Sequence, residues 1–255
     1  MELWERSTLQ YILCYGDILK SSEVLGKKPV TGLLNVNGLT ALAGITGPAI
    51  LLIADLVGAV SAEHYSFVQH SISFLAWMPM GWIQTIGFLA IGLLVEIFAA
   101  GLFFNIRRAR GFSFGIALLV CFGFGLLLIG AFHTDIPGRP GTVDGAIHGA
   151  AANTAFWLLP AATLFIAPSL KNDRRWQSLF PYSIAIAGFA LIWIIIYRVW
   201  LPPNLSWFGL YERILVTIEV LWVEMMAIWQ LRLSLKAKPP VAGESARFPA
   251  IKHYG

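Results

Sequence analysis

The side chains able to do chemistry in this sequence gather near two loops. His64 and His70 lie in one, His133 and His148 flank the other, and together they are four of the five histidines in the chain. Ser71, Ser73, Asp135 and Asp144 stand beside them. Zinc hydrolytic sites commonly use three His or carboxylate ligands and keep a fourth position for water. His133, Asp144 and His148 are the candidate ligands, with His70 and Asp135 as further ones. Asp144 and His148 are four residues apart, so they share a face if the helix starts near Thr142. The same spacing has a structural reading, in which Asp144 supports the helix start through the helix dipole and accepts a hydrogen bond from His148. No HExxH segment is present to decide for metal. In HSIS, residues 70–73, a Ser beside a His suggests a nucleophile and its base. Adjacent residues point apart on a regular helix, however, and Ser at such positions commonly caps one. The G-x-S-x-G elbow of serine hydrolases is missing.

A second set of ionisable residues falls inside apolar segments, where charge is costly and faces the interior of a bundle. Asp55, Glu96, Glu219 and Glu224 belong to it. Arg198 and Glu212 flank the last apolar loop, and an interhelical ion pair of Arg198 with Glu212 or Glu219 is the simplest account of them. An ion or proton pathway through Asp55, Glu96 and Glu219 is the alternative, although the internal repeats and interrupted segments of many transporters are not evident.

The elements that must position these groups follow from composition. The chain has 255 residues, 57% hydrophobic and 13% charged, with a mean hydropathy of +0.71. Soluble domains carry about a quarter charged residues, so a water-soluble globule is excluded, as are a disordered chain and, with two cysteines, a disulfide scaffold. A helix needs about 20 mostly apolar residues to cross a bilayer. Six segments qualify, at about 38–61, 81–105, 112–133, 147–168, 180–200 and 210–231. The expected fold is all-α: a polytopic, six-transmembrane-helix bundle over residues 37–235. Residues 1–36 form an N-terminal cytoplasmic or interfacial segment without the continuous apolar core of a signal peptide. Residues 236–255 have the Pro, Gly and small-residue composition of a disordered tail.

Fifteen of the eighteen Lys and Arg residues fall in the two termini and in the loops after the second and fourth segments. Arg139, Arg198 and Arg213 are the exceptions. The positive-inside rule places both termini in the cytoplasm and the histidine-rich loops outside, in a bacterial inner membrane. The net charge of +4 is then a topological signal and implies no nucleic-acid partner. Packing cues are Gly145-x-x-x-Gly149, Ala151-x-x-x-Ala155 and the glycines of the third segment, which permit close helix approach. The ten Trp residues, Trp176 among them, read as an interfacial belt.

The order of three stretches carries a resemblance: GITGPAILLIADLVGAV, then YSFVQHSISFLAWMPMGWIQTIGFLAIGLL, then GAFHTDIPGRPGTVDGAIHGAAANTAFWLLP. With the Ile-Ser after Tyr65, Gly-x-Phe-x-x-Asp at 130–135 and Gly-x-x-His at 145–148, the chain resembles the domain-of-unknown-function 998 (DUF998) family of prokaryotic membrane proteins. That family is itself distantly similar to the Frag1/DRAM/Sfk1 group. The resemblance covers about residues 38–235 and implies a six-helix bundle with both ends cytoplasmic; it brings no reaction with it. The expected function is a structural, accessory or lipid-binding role with an extracytoplasmic polar site at His70, Ser71, Ser73, His133, Asp135, Asp144 and His148. The partners are membrane lipid and other membrane-protein subunits, and no cofactor is expected. The alternatives are a Zn2+-dependent hydrolase of lipids or headgroups at the outer leaflet and an ion- or proton-coupled transporter.

Overall fold

The computed structural model describes residues 35–136, 138–200 and 206–236, and the expectations for the N-terminal segment and the tail lie outside them. Six helices carry the apolar segments: α1 Val36–Ser61, α2 Gly81–Asn105, α3 Phe112–Ala131, α4 Val143–Asn172, α5 Phe180–Trp200 and α6 Phe208–Lys236. Each is long and apolar enough to cross a membrane, and the described residues contain no strand.

Local chemistry sets the helix ends. Asn35 caps α1 by accepting the Gly38 amide at 2.7 Å, and Thr142 caps α4 by accepting the Gly145 amide at 2.9 Å. α4 therefore begins with the small, polar stretch before residue 147, earlier than its hydropathy suggests, and places Asp144 in its first turn. Gly111 opens α3 at φ +87°, a left-handed conformation open to glycine at little cost. Between α1 and α2, the loop contains a 3-10 turn, Ile72–Trp77, capped by Ser71 through the Phe74 amide at 3.2 Å.

Consecutive helices are neighbours, as sequential elements commonly are. α1, α2, α3 and α4 pack in order, and α6 returns beside α1. α5 packs on α4 and only lightly on α6. It is also the least covered helix, with 28% of its apolar window buried against 44–50% in the others. The core consists of Leu51, Ile91, Val95, Phe98, Phe122 and Ile166 with their neighbours.

Close approach uses glycine where α2 meets α3. A Cβ on Gly123 would stand 3.0 Å from the Gly92 carbonyl oxygen, and one on Gly92 would stand 2.8 Å from that of Gly123. The small face of α4 lies lower than Gly145-x-x-x-Gly149 suggested. Ala151 and Ala155 are buried near Gly125 of α3, whereas the space around Gly149 is open. Gly145 is closed off by the Asp135 side chain and not by a helix. Trp176 departs from the interfacial belt too, being wholly buried.

At the end bearing Arg107, Arg108 and Arg110, Asp173 anchors the two loops. It pairs with Arg175 at 2.8 Å and accepts the Arg107 amide at 3.2 Å. Arg175 also donates to the Asn105 carbonyl at 2.7 Å. The hydrogen bond from Arg175 holds the Asp173 carboxyl down at about 2.

Candidate functional site

At the opposite end of the bundle, two buried polar arrangements stand side by side, one saturated and one open. The saturated one centres on Arg213, six per cent exposed and in the second turn of α6. Its guanidinium binds Asp55 of α1 in bidentate fashion, with Nη2 to Oδ1 at 2.7 Å and Nε to Oδ2 at 3.0 Å. Nη1 donates to the carbonyls of Phe67, His70 and Gly209 at 2.9, 3.0 and 3.1 Å. Nη2 also donates to the Tyr65 hydroxyl. The guanidinium carbon lies 3.9 Å from the centre of the Phe67 ring. Tyr65 donates onward to the Ser71 carbonyl at 2.9 Å, and burial pushes its phenol up to about 12, so it stays a neutral donor. Arg213 has five N–H groups, and acceptors surround all of its nitrogens. Its role is to clamp the α1–α2 loop to α1 and α6.

This clamp overturns the expected ion pair. Arg198 is exposed at the end of α5 and forms no ion pair among the described residues. Glu212 instead accepts the Ile72 amide at 2.6 Å, and Glu219 lies deeper on α6. The sequence did carry a signal for the true pair. Asp55 is six residues from the end of α1 and Arg213 five from the start of α6, so the two lie at matching depth, whereas Arg198 sits at its helix end.

The other expected site residues do not converge. His148 is buried, with Nδ1 2.8 Å from the Phe132 carbonyl oxygen and 3.2 Å from that of Ile129. Those carbonyls only accept, so Nδ1 carries the hydrogen and neutral imidazole keeps Nε2 as an acceptor. His148 thus ties α4 to the last turn of α3, and the expected bond to Asp144 is replaced. Asp144 is exposed. Asp135 binds the Thr142 amide at 3.0 Å and the Thr142 hydroxyl at 2.7 Å, bracing the start of α4. His133 lies against Trp77 with ring centres 5.3 Å apart. His70 Nδ1 accepts the Ser66 amide at 3.0 Å and is engaged away from Ser71. Ser71 and Ser73 are 3.3 Å apart, hydroxyl to hydroxyl. Among the described residues, no three His, Cys, Asp or Glu side chains form a group that could hold a metal ion.

The open arrangement follows from the way α5 stands off. A cleft of about 330 Å³ lies among α4, α5, α6 and the 3-10 turn, and we call it the vestibule. Trp157, Ile194, Tyr197 and Phe208 supply apolar and aromatic wall, and Arg198, Asn153 and Thr134 lie at its border. Stacking holds the wall together: Tyr197 and Trp193 lie on Tyr211 with ring centres 4.4 and 5.7 Å apart. A narrower cavity of about 40 Å³ continues along the bundle axis, lined by every helix except α5. The two share Ser73, His148, Ala152, Phe156 and Glu212, which form the floor of one and the neck of the other. Glu219 lines the narrow well, three per cent exposed, and its Oε1 has no hydrogen-bond partner.

Of the expected outer-face site, Ser71, Ser73 and His148 line the cleft, whereas His70, His133, Asp135 and Asp144 do not. Glu212, read as an ion-pair residue, joins them with the aromatic residues of α4, α5 and α6, and Glu219 lies in the well below. Those aromatics carried no separate signal, because a Tyr near a span end reads equally well as interface anchor. No curated protein and no solved structure matches the chain. A family model described as "Protein of unknown function (DUF998)" does match, over residues 45–229, and the chain belongs to that family.

Proposed function

We propose that this protein binds a membrane amphiphile, a lipid or lipid-like molecule, in the vestibule among α4, α5 and α6, and acts as an accessory lipid-binding protein. The observation that carries the reading is the cleft itself. Its volume of about 330 Å³ falls at the lower end of the range typical of small-molecule sites, which run from about 300 to 1,000 Å³. Its walls are aromatic, with polar groups at the floor (Ser73, His148, Glu212) and at the border (Thr134, Asn153, Arg198), so the apolar and polar parts of one amphiphile each find a counterpart. The light packing of α5 on α6 supplies a side door through which a chain can remain in the bilayer. The fifteen-to-three division of cations supports an orientation with the vestibule on the non-cytoplasmic face of the inner membrane.

The test is lipid retention. The full-length protein is purified in mild detergent, and bound lipid is quantified by mass spectrometry. The comparison is Ala152→Trp, which fills the boundary between vestibule and well from the half-buried face of α4. Stoichiometric lipid in the parent, lost in a correctly folded variant, is the expected result. Equal retention in both overturns the proposal.

A further inference from the structure

Glu219 lies seven residues beyond Glu212 on α6, close to two full turns, so both face the bundle axis about 10 Å apart along the helix. It is the only acid among the buried side chains with an unpartnered polar atom in the described residues; the others are Gln84, Trp176 and Gln230. An ionised carboxyl in apolar surroundings is very costly unless a cation or several hydrogen-bond donors meet it, and with neither it holds a proton that an arriving cation would displace. Among the described residues, no Lys or Arg lines the well. Arg213 faces α1 and is committed to Asp55 and its carbonyls. α1, α2 and α3 contribute Leu51, Phe88, Ile91, Phe122, Leu126 and Ile129, all apolar. His148 and Glu212 lie at the neck, and Glu212 is a second acid.

Water is a poor occupant of the middle of this well. The 40 Å³ would hold about three water molecules at roughly 10–15 Å³ each, but each needs two to four polar partners. The polar groups stand only at the neck and at Glu219, with hydrocarbon between. An apolar stem ending in a hydrogen-bonding cation satisfies both parts.

We infer that the vestibule's amphiphile is an aliphatic primary amine, its narrow stem running down the well and its ammonium held by Glu219. This rests on the vestibule being the binding site. The ammonium would meet the unpartnered Oε1 with both charge and N–H donors. A trimethylammonium is bulkier and has no N–H, so it meets the site less well. The body of the ligand remains above the neck, against Phe156, Trp157 and Tyr197.

The experiment compares three probes of equal chain length on the full-length protein in lipid nanodiscs: octylamine, octyltrimethylammonium and octanol. Binding is read by tryptophan fluorescence and thermal shift. The parent should bind octylamine at least about tenfold more tightly than either other probe, the gain expected of one charge-assisted hydrogen bond in a dry site. Glu219→Gln should bring octylamine to the level of octanol. Val216→Phe, which narrows the well and leaves Glu219 intact, should do the same and decides the matter if Glu219→Gln does not fold. Equal binding of octylamine and octanol by the parent overturns the inference, as does an undiminished preference in the folded variants. Loss of lipid and of all three probes by the parent brings down the vestibule reading itself. Retained lipid without amine preference overturns only the amine.

Discussion

Arg213 and Glu219 are six residues apart on one helix and almost equally buried, at six and three per cent exposure, yet they are treated in opposite ways. Six residues is about 1.7 turns, so Arg213 faces α1 and Glu219 faces the bundle axis. Around Arg213 the fold assembles a carboxylate, a phenol, three carbonyls and an aromatic face. Around Glu219 it assembles hydrocarbon and a cavity, and leaves Oε1 alone. A saturated buried charge has its counterpart within the protein, and its removal is a matter of stability. A buried acid with an unpartnered oxygen beside a cavity is where a group from outside could be met.

The largest expected effect breaks the comparison directly. Arg213→Ala strands Asp55 without its partner, and breaking a buried pair costs about 3–5 kcal/mol. The variant should unfold at much lower temperature in detergent, while Glu219→Gln, which breaks no hydrogen bond to Oε1 and puts a neutral amide in place of an acid costly to bury, should melt no lower than the parent. A Glu219→Gln variant as damaged as Arg213→Ala would show the carboxyl to be structural and erase the contrast.

A smaller effect sharpens it at the other end of the bundle, where Asp173 and Arg175 form a pair that is half in water. Asp173 is six per cent exposed but the Arg175 side chain is 57 per cent exposed. The folded Asp173 carboxyl titrates at about 2, below its ordinary 3.8. Its contribution is therefore fully present above about pH 4 and lost as pH falls from there toward 2, because the unfolded chain takes up the proton first. Solvent screening reduces it to about 1–2 kcal/mol. Melting curves between pH 6 and pH 2.5 should show this loss in the parent and a flatter profile in Asp173→Asn. Parallel profiles would remove Asp173 from the fold's anchors.

The smallest effects are expected beside the vestibule, where side chains meet open space. Gly149→Leu, which a tight small-residue seam would make disruptive, should change stability by no more than about 0.5 kcal/mol, since nothing lies within 4 Å of an added Cβ. Asp144→Ala should cost only the helix-start charge, about 0.3–1 kcal/mol. A fall of several kcal/mol in Gly149→Leu, measured by thermal unfolding, would mean that the vestibule rim is packed, and one in Asp144→Ala that its carboxylate braces the start of α4.

The six helices and their approximate ends were legible in the residues because each span must present about 20 apolar positions to a bilayer, and hydropathy reports that locally. The start of α4 was legible only in part: hydropathy put it near 147, and a start near Thr142 entered only as the condition for Asp144 and His148 to share a face. The family was legible in the order of its short motifs. Which charges meet was not. Arg198 and Arg213 flank the same loop; depth from the helix ends favours Arg213, but the rotation that turns it toward Asp55 is set by packing. The loop histidines looked like a cluster because the expected topology puts both of their loops on one side of the membrane. Their rings are claimed one by one, by the carbonyls of Phe132 and Ile129, the Ser66 amide and the Trp77 ring.

Sequence by itself determined the class of the molecule, the number of its spans and the residues able to carry charge into the bilayer, because solvation acts on each residue where it stands. Only the tertiary structure decided which of those residues are satisfied and where space remains. That depends on α5 standing off from α6, a packing outcome shared among six helices. The vestibule exists for that reason, the well holding Glu219 is left where the other five helices meet, and no single segment encodes either.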